Sequence, residues 1–136
     1  MSSLPYTIQD KLRISESLVT HDNINFYTVS ISPPKNTLVK GKMMFIHGFS
    51  EHAGMYYKLM ETFSDQGYEC FTFDQRGSGK TSLGKYRGRV GRTKEKIYTD
   101  VDKMMEVAWF AGEKEVQVPL ILVGHSMGGG IALSYG

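Results

Sequence analysis

Residues 119–133 read Pro-Leu-Ile-Leu-Val-Gly-His-Ser-Met-Gly-Gly-Gly-Ile-Ala-Leu. Pro119 to Val123 is short and apolar on every residue, the pattern of a strand buried on both faces. Gly124-His125-Ser126-Met127-Gly128 follows at the spacing G-x-S-x-G, with Gly129 and Gly130 extending it and Ile131-Ala132-Leu133 opening a helix. A serine placed so stands at the apex of a sharp strand-to-helix turn. The positions two before and two after it are crowded, and only a missing Cβ lets strand and helix approach. The new helix aims its free N–H groups at the serine, where they favour developing negative charge. Ser126 is therefore the candidate nucleophile. The five-residue pattern alone arises by chance in Gly-rich chains; the apolar strand before it and the helix after it give it weight.

Working outward, the same alternation recurs upstream. Lys42 to His47 is a short apolar run ending in Gly48. Met55, Leu59, Met60 and Phe63 then fall at helical spacing, and Gly67 ends that helix. Tyr68 to Phe73 is another short apolar run, and Ile97, Val101, Met104, Met105, Ala108 and Ala111 mark one face of a second helix, stopped near Gly112. Ile24 to Ile31 alternates with β-branched enrichment, and Leu12 to Val19 is a weaker strand candidate to pair with it; Pro33-Pro34 stops the second strand. Strands alternating with helices imply a mostly parallel α/β sheet, here with an antiparallel N-terminal strand pair. Residues 1–11 read as a tail and 12–136 as one domain. Ligand sites in such sheets lie at the carboxyl ends of the strands.

Composition narrows the class. With 40% hydrophobic and 22% charged residues, 136 residues suffice for one core. No apolar run approaches the roughly 20 residues of a bilayer span, and Met1 to Asp10 lacks the basic start and apolar stretch of a secretory signal. The single cysteine, Cys70, lies in an apolar stretch and reads as a small buried hydrophobe, so these features predict the cytosolic side of the cell. Between Lys80 and Lys96 seven basic residues meet one acid, leaving an acidic remainder. Gly84, Gly88 and Gly91 in that stretch mark an exposed loop, a solvated one or one that meets an anionic membrane surface. No recognition helix or zinc site accompanies it, so nucleic acid is not expected.

An acyl-transfer site also needs oxyanion donors. One is the backbone N–H after the nucleophile, on Met127; the second comes from the loop after the run 42–47, where His47-Gly48-Phe49 makes the Phe49 N–H the candidate. A misplaced donor costs roughly 3 kcal/mol of barrier. His47 and His125 are expected to support the loops, as are Gly48, Gly124 and Gly128; His52 is expected in a turn or helix cap, and His21 near a turn. None is expected as the base. No paired Cys/His spacing suggests a metal. Gly79-Lys80-Thr81 imitates a phosphate loop, but Asp74 stands where its first glycine belongs, and glycines follow where a helix should start.

Three stretches, His47-Gly48-Phe49-Ser50-Glu51-His52, Phe71-Thr72-Phe73-Asp74-Gln75-Arg76-Gly77-Ser78-Gly79 and Gly124-His125-Ser126-Met127-Gly128-Gly129-Gly130, resemble the monoacylglycerol lipase family of α/β-hydrolases. The resemblance runs from about Leu12 to the end. It implies the N-terminal half of an α/β-hydrolase fold and a serine carboxylester hydrolase acting on a single-chain acylglycerol without cofactor. It also implies a lipid ester substrate and a contact with a lipid-droplet or endoplasmic-reticulum surface. Other serine hydrolase activities (lysophospholipase, thioesterase, peptidase) and a non-catalytic remnant stay open. In this family the acid and the base follow the nucleophile, and Gly136 lies ten residues past Ser126. The expectation is a fold cut after the elbow, inactive by itself, whose strand 119–123 becomes an edge prone to association.

Overall fold

The computed structural model describes residues 13–48, 52–81, 94–109, 118–125, 128 and 131. Strands β1 (Ile14–His21), β2 (Ile24–Ile31), β3 (Gly41–Ile46), β4 (Tyr68–Phe73) and β5 (Leu120–Gly124) form one sheet in the order β1-β2-β4-β3-β5. β1 and β2 are an antiparallel hairpin, closed by Asp22 and Asn23 at φ 53° and 59°. Both central residues of such a two-residue turn need positive φ, which Asp and Asn tolerate. β2 runs antiparallel to β4, and β3 runs parallel to both β4 and β5. The expected α/β sheet with an antiparallel N-terminal pair is observed, as a mixed sheet in which β2 also runs antiparallel to β4.

Alternate residues of the inner strands feed two cores, one on each face. Tyr27, Val29, Met43, Phe45 and Cys70 pack with Ala53, Tyr57 and Met60 of the α1 (Tyr57–Ser64) layer. Phe26, Met44, Ile46, Phe71 and Phe73 pack with Val101, Met104 and Ala108 of α2 (Lys94–Trp109), together with Ile131. Burying each large side chain contributes about 1.5–3 kcal/mol.

Of the four residues at helical spacing, Met60 is buried and Phe63 packs against the core, while Met55 and Leu59 are 58% and 43% exposed. The chain enters α1 through a 3-10 turn at Ala53–Tyr56, which rotates the inner face onto Ala53, Tyr57, Met60 and Ser64. β5 is only half-buried, with Ile121 40% exposed, rather than covered on both faces. Leu120 and Leu122 pack against the α2 core and Val123 against the α1 core, while Ile121 joins neither. Among the described residues β5 pairs with β3 and forms one edge of the sheet.

Polar residues inside this core are paired. Lys42 and Glu69 are buried and adjacent in register across β3 and β4. Lys42 Nζ reaches the Ala108 carbonyl at 3.4 Å in the last turn of α2, where a cation meets the negative end of the helix. Burial lowers the pKa of Lys42, opposed by the Glu69 charge. Ser32 Oγ donates to Glu69 Oε2 at 3.1 Å.

Cys70 is buried, as expected, and burial pushes its thiol up from 9.0 to about 12. The folded chain thus holds this proton more tightly than the unfolded chain. The associated stability is complete below about pH 9 and is lost as pH rises from about 9 toward about 12. Denaturant midpoints should therefore fall more steeply between pH 9 and 11 in the wild type than in Cys70→Ala. At pH 8 the native thiol should resist a disulfide reagent until the chain unfolds.

Candidate active site

The order β4-β3-β5 brings the carboxyl ends of three parallel strands side by side, and their following loops meet there. β5 ends at Gly124, and Gly128 and Ile131 are helical. His125 N–H donates to the Ile46 carbonyl at 3.4 Å, and Gly128 N–H donates to the His125 carbonyl at 2.9 Å. The turn thus rests on the end of β3. A Cβ built on Gly128 would overlap the Ile46 carbonyl oxygen and lie 2.7 Å from the His47 oxygen. The crowding that requires glycine here comes from the backbone of the neighbouring strand, a source that the turn's own sequence does not reveal. Ser126, Met127 and Phe49, the nucleophile and the two oxyanion donors read from the sequence, lie outside the described residues.

His47 is fully buried and joins the first two loops. Its Nε2 accepts the Gln75 backbone N–H at 2.9 Å, and its Nδ1 lies 2.8 Å from the Gly48 carbonyl. In return, the Gln75 side-chain amide donates to the His47 carbonyl at 2.7 Å.

Asp74, equally buried, is a second tie. Its Oδ1 accepts the Ala53 N–H at 2.6 Å and its Oδ2 the Lys80 N–H at 2.7 Å. Thr81 Oγ donates to the Asp74 carbonyl and accepts from the Tyr27 N–H. Gly79-Lys80-Thr81 is thus tied to the fold by these bonds, with Thr81 buried, Gly79 and Lys80 exposed, and Lys80 Nζ 4.7 Å over the Tyr27 ring. A cavity of about 270 Å³, lined by Tyr27, His52, Tyr57 and Lys80 among others, opens beside this loop.

Arg76 anchors the same loop from below. Its Nε and Nη2 donate to both carboxylate oxygens of Asp100 at 2.7 Å, and Nη2 reaches Asp22 Oδ2 at 3.1 Å. The bidentate partner raises the pKa of Arg76 and keeps it charged; burial raises that of Asp100 against the pull of the guanidinium. Sequence reasoning singled out the stretch 74–79 but assigned no roles to Asp74, Gln75 and Arg76. The available signal was a run of chemistry-bearing residues ending an apolar strand.

His52 and His21 fall in the turn positions expected of them. His52 Nδ1 accepts the Gly54 N–H at 3.2 Å and caps the 3-10 turn. His21 ends β1, with Nε2 3.4 Å from Asp100 Oδ1, and His125 is exposed. Among the described residues no three His, Cys, Asp or Glu converge as metal ligands, and no helix is long and apolar enough to cross a bilayer. Most of the basic stretch Lys80–Lys96 lies outside the described residues; Lys96 pairs with Asp22 at 3.1 Å.

This geometry has known counterparts. The family profile described as serine aminopeptidase, S33 (Hydrolase_4) matches residues 37–136. The monoglyceride lipase of Saccharomyces cerevisiae is 41% identical over 97 residues, 71% of this chain and 30% of that protein. A putative monoglyceride lipase of Schizosaccharomyces pombe is 39% identical over 70% of this chain and 24% of its own length. The crystal structure of a soluble variant of the S. cerevisiae monoglyceride lipase, in complex with a substrate analog, superposes with a TM-score of 0.80 at 33% identity. It covers 99% of this chain and 42% of that one. The chain thus matches less than half the length of each of these relatives. It belongs to the serine aminopeptidase S33 family, as a monoglyceride-lipase-like α/β-hydrolase.

Proposed function

We propose that the protein is a serine carboxylester hydrolase that cleaves a monoacylglycerol. Ser126 Oγ attacks the acyl carbonyl while its proton passes to a base. The oxyanion is met by the Met127 and Phe49 N–H groups. The C–O bond to glycerol breaks, glycerol leaves with the proton, and water releases the fatty acid from the acyl-serine. The observation that carries this reading is a G-H-S-M-G-G sequence whose Gly128 is seated on the end of β3, in a chain 41% identical to a monoglyceride lipase across the matched region. The reaction also requires a general base to take the Ser126 proton and an acid to orient that base. The same reading places the protein on the cytosolic side, meeting a lipid surface through the basic stretch Lys80–Lys96.

The test is release of glycerol and fatty acid from mono-oleoylglycerol by the full-length protein. Ser126→Ala is expected to lower kcat by about 10⁶. A lysophospholipid, an acyl thioester and an aminoacyl amide run beside it decide the substrate class. Ser126-dependent turnover of one of these without the glyceride would overturn the proposal.

A further inference from the structure

We propose that β1 is an interaction surface that pairs, antiparallel and about a two-fold axis at Leu18, with β1 of a second copy of this chain. Nothing in this pairing depends on ester hydrolysis.

The direction of the backbone groups defines the surface. Ser32 N–H donates to the Arg13 carbonyl at 2.8 Å, and His21 and Ile24 flank a two-residue turn. In an antiparallel ladder, successive residues of a strand point their N–H and C=O alternately toward one side and the other. Arg13, Ser15, Ser17, Val19 and His21 therefore address β2, while Ile14, Glu16, Leu18 and Thr20 address the opposite side. Tyr27 obeys the same parity. It lies in register with Leu18, yet its N–H serves Thr81 and its carbonyl serves Asp74, both on the β4 side. Among the described residues β1 is an edge of the sheet, opposite β5.

Native edges are blunted by shortness, proline, bulges or lysines. β1 has none of these. It is eight residues long, contains no Pro, Lys or Arg, and keeps an unbroken register with β2 from Ile14 to His21. Its one carboxylate, on Glu16, is turned onto the Tyr27 hydroxyl, which donates to it at 2.5 Å. Leu18, in the middle of the strand, is 61% exposed.

Such an edge fits its own copy. With Leu18 on the axis, Leu18 faces Leu18 and Glu16 faces Thr20, and the outward groups exchange about six main-chain hydrogen bonds. The two Leu18 side chains then cover each other as a cross-strand pair. The neighbouring registers are worse. Centring on Glu16 opposes two carboxylates, centring on Ser17 sets Leu18 against Glu16, and centring on Thr20 leaves most of β1 unused. A two-fold axis makes every contact occur twice and closes the assembly at two copies. Directly opposed residues share a face of the sheet, and Ile14 packs on the α1 side, so both α1 layers lie on one side of the joined sheet. The candidate sites then point toward opposite ends.

The experiment measures the mass of the full-length protein by light scattering during size exclusion, at micromolar concentration. Twice the single-chain mass is expected. Leu18→Pro removes an outward N–H while leaving the bonds to β2, as an edge strand tolerates. Leu18→Lys places two like charges on the axis, and it decides the question if the proline variant fails to fold. Each is expected to raise the dimer Kd at least about tenfold, because the axis counts every substitution twice. Ile121→Lys, on the opposite edge, should leave the dimer intact. Amide exchange at Leu18 and Thr20 should slow as protein concentration rises, while Ser17 and Val19 stay protected throughout. A monomer at these concentrations overturns the proposal. So does a dimer that survives Leu18→Lys or dissolves in Ile121→Lys, and so does a Leu18 amide whose exchange ignores concentration.

Discussion

Residues 1–136 by themselves are expected to hydrolyse a short-chain ester about 10⁶-fold more slowly than a complete enzyme of this family. A serine hydroxyl is a weak nucleophile until a base takes its proton. The described histidines are poorly placed to do so. His47 uses Nε2 to accept from Gln75 and is buried. His52 uses Nδ1 to cap the turn that precedes α1. His21 lies beside Asp100 of α2. His125 is exposed and adjoins the nucleophile in sequence, where chain direction carries neighbouring side chains apart. An oxyanion hole without its base leaves about 10³–10⁴ over water, so a small residual rate is expected. The measurement is turnover of the purified chain beside its Ser126→Ala variant. Fast turnover abolished by that substitution would reveal a base within these residues, with His125 the first to substitute.

Gly128→Ala is expected to be among the most damaging single substitutions in the chain, at about 3–5 kcal/mol and a fall in melting temperature of roughly 10–20 °C. The added Cβ would meet a backbone carbonyl of β3 instead of a side chain that can rotate away. β3 cannot retreat, because it is bonded on one side to β4 and on the other to β5. Gly41→Ala is the control: its Cβ would meet the Pro119 carbonyl at 3.3 Å and the Tyr68 ring at 3.4 Å, contacts that a small shift relieves, at a cost within about 1 kcal/mol. Equal melting temperatures for the two variants would mean that the turn does not rest on β3, and the geometry of the site would fail with it.

Much of this was present in the chain as a one-dimensional pattern. The strands Ile24–Ile31 and Tyr68–Phe73 coincide with their apolar runs, and α2 buries Val101, Met104 and Ala108 at the spacing that announced it. Backbone geometry imposes periods of 2 and 3.6 on any segment that buries one face, so such elements are legible locally. The elbow is legible for the same reason, since its requirement for small residues acts over five positions.

Tertiary structure decided the rest. Which residues of the 53–64 segment face inward was not set by hydrophobicity alone: Met55 and Leu59 are exposed while Tyr57 and Ser64 are buried. Gln75 is bound to His47 from 28 positions away and Arg76 to Asp100 from 24, because the order β2-β4-β3 folds these loops together. The seat of Gly128 exists only because β3 and β5 are neighbours. By itself the sequence determined the strands, the helices and the candidate nucleophile, whose signals are carried by residues within a few positions of one another. Only the tertiary structure decided what holds the site in shape, because hydrogen bonds between distant loops leave no periodicity in the chain that makes them.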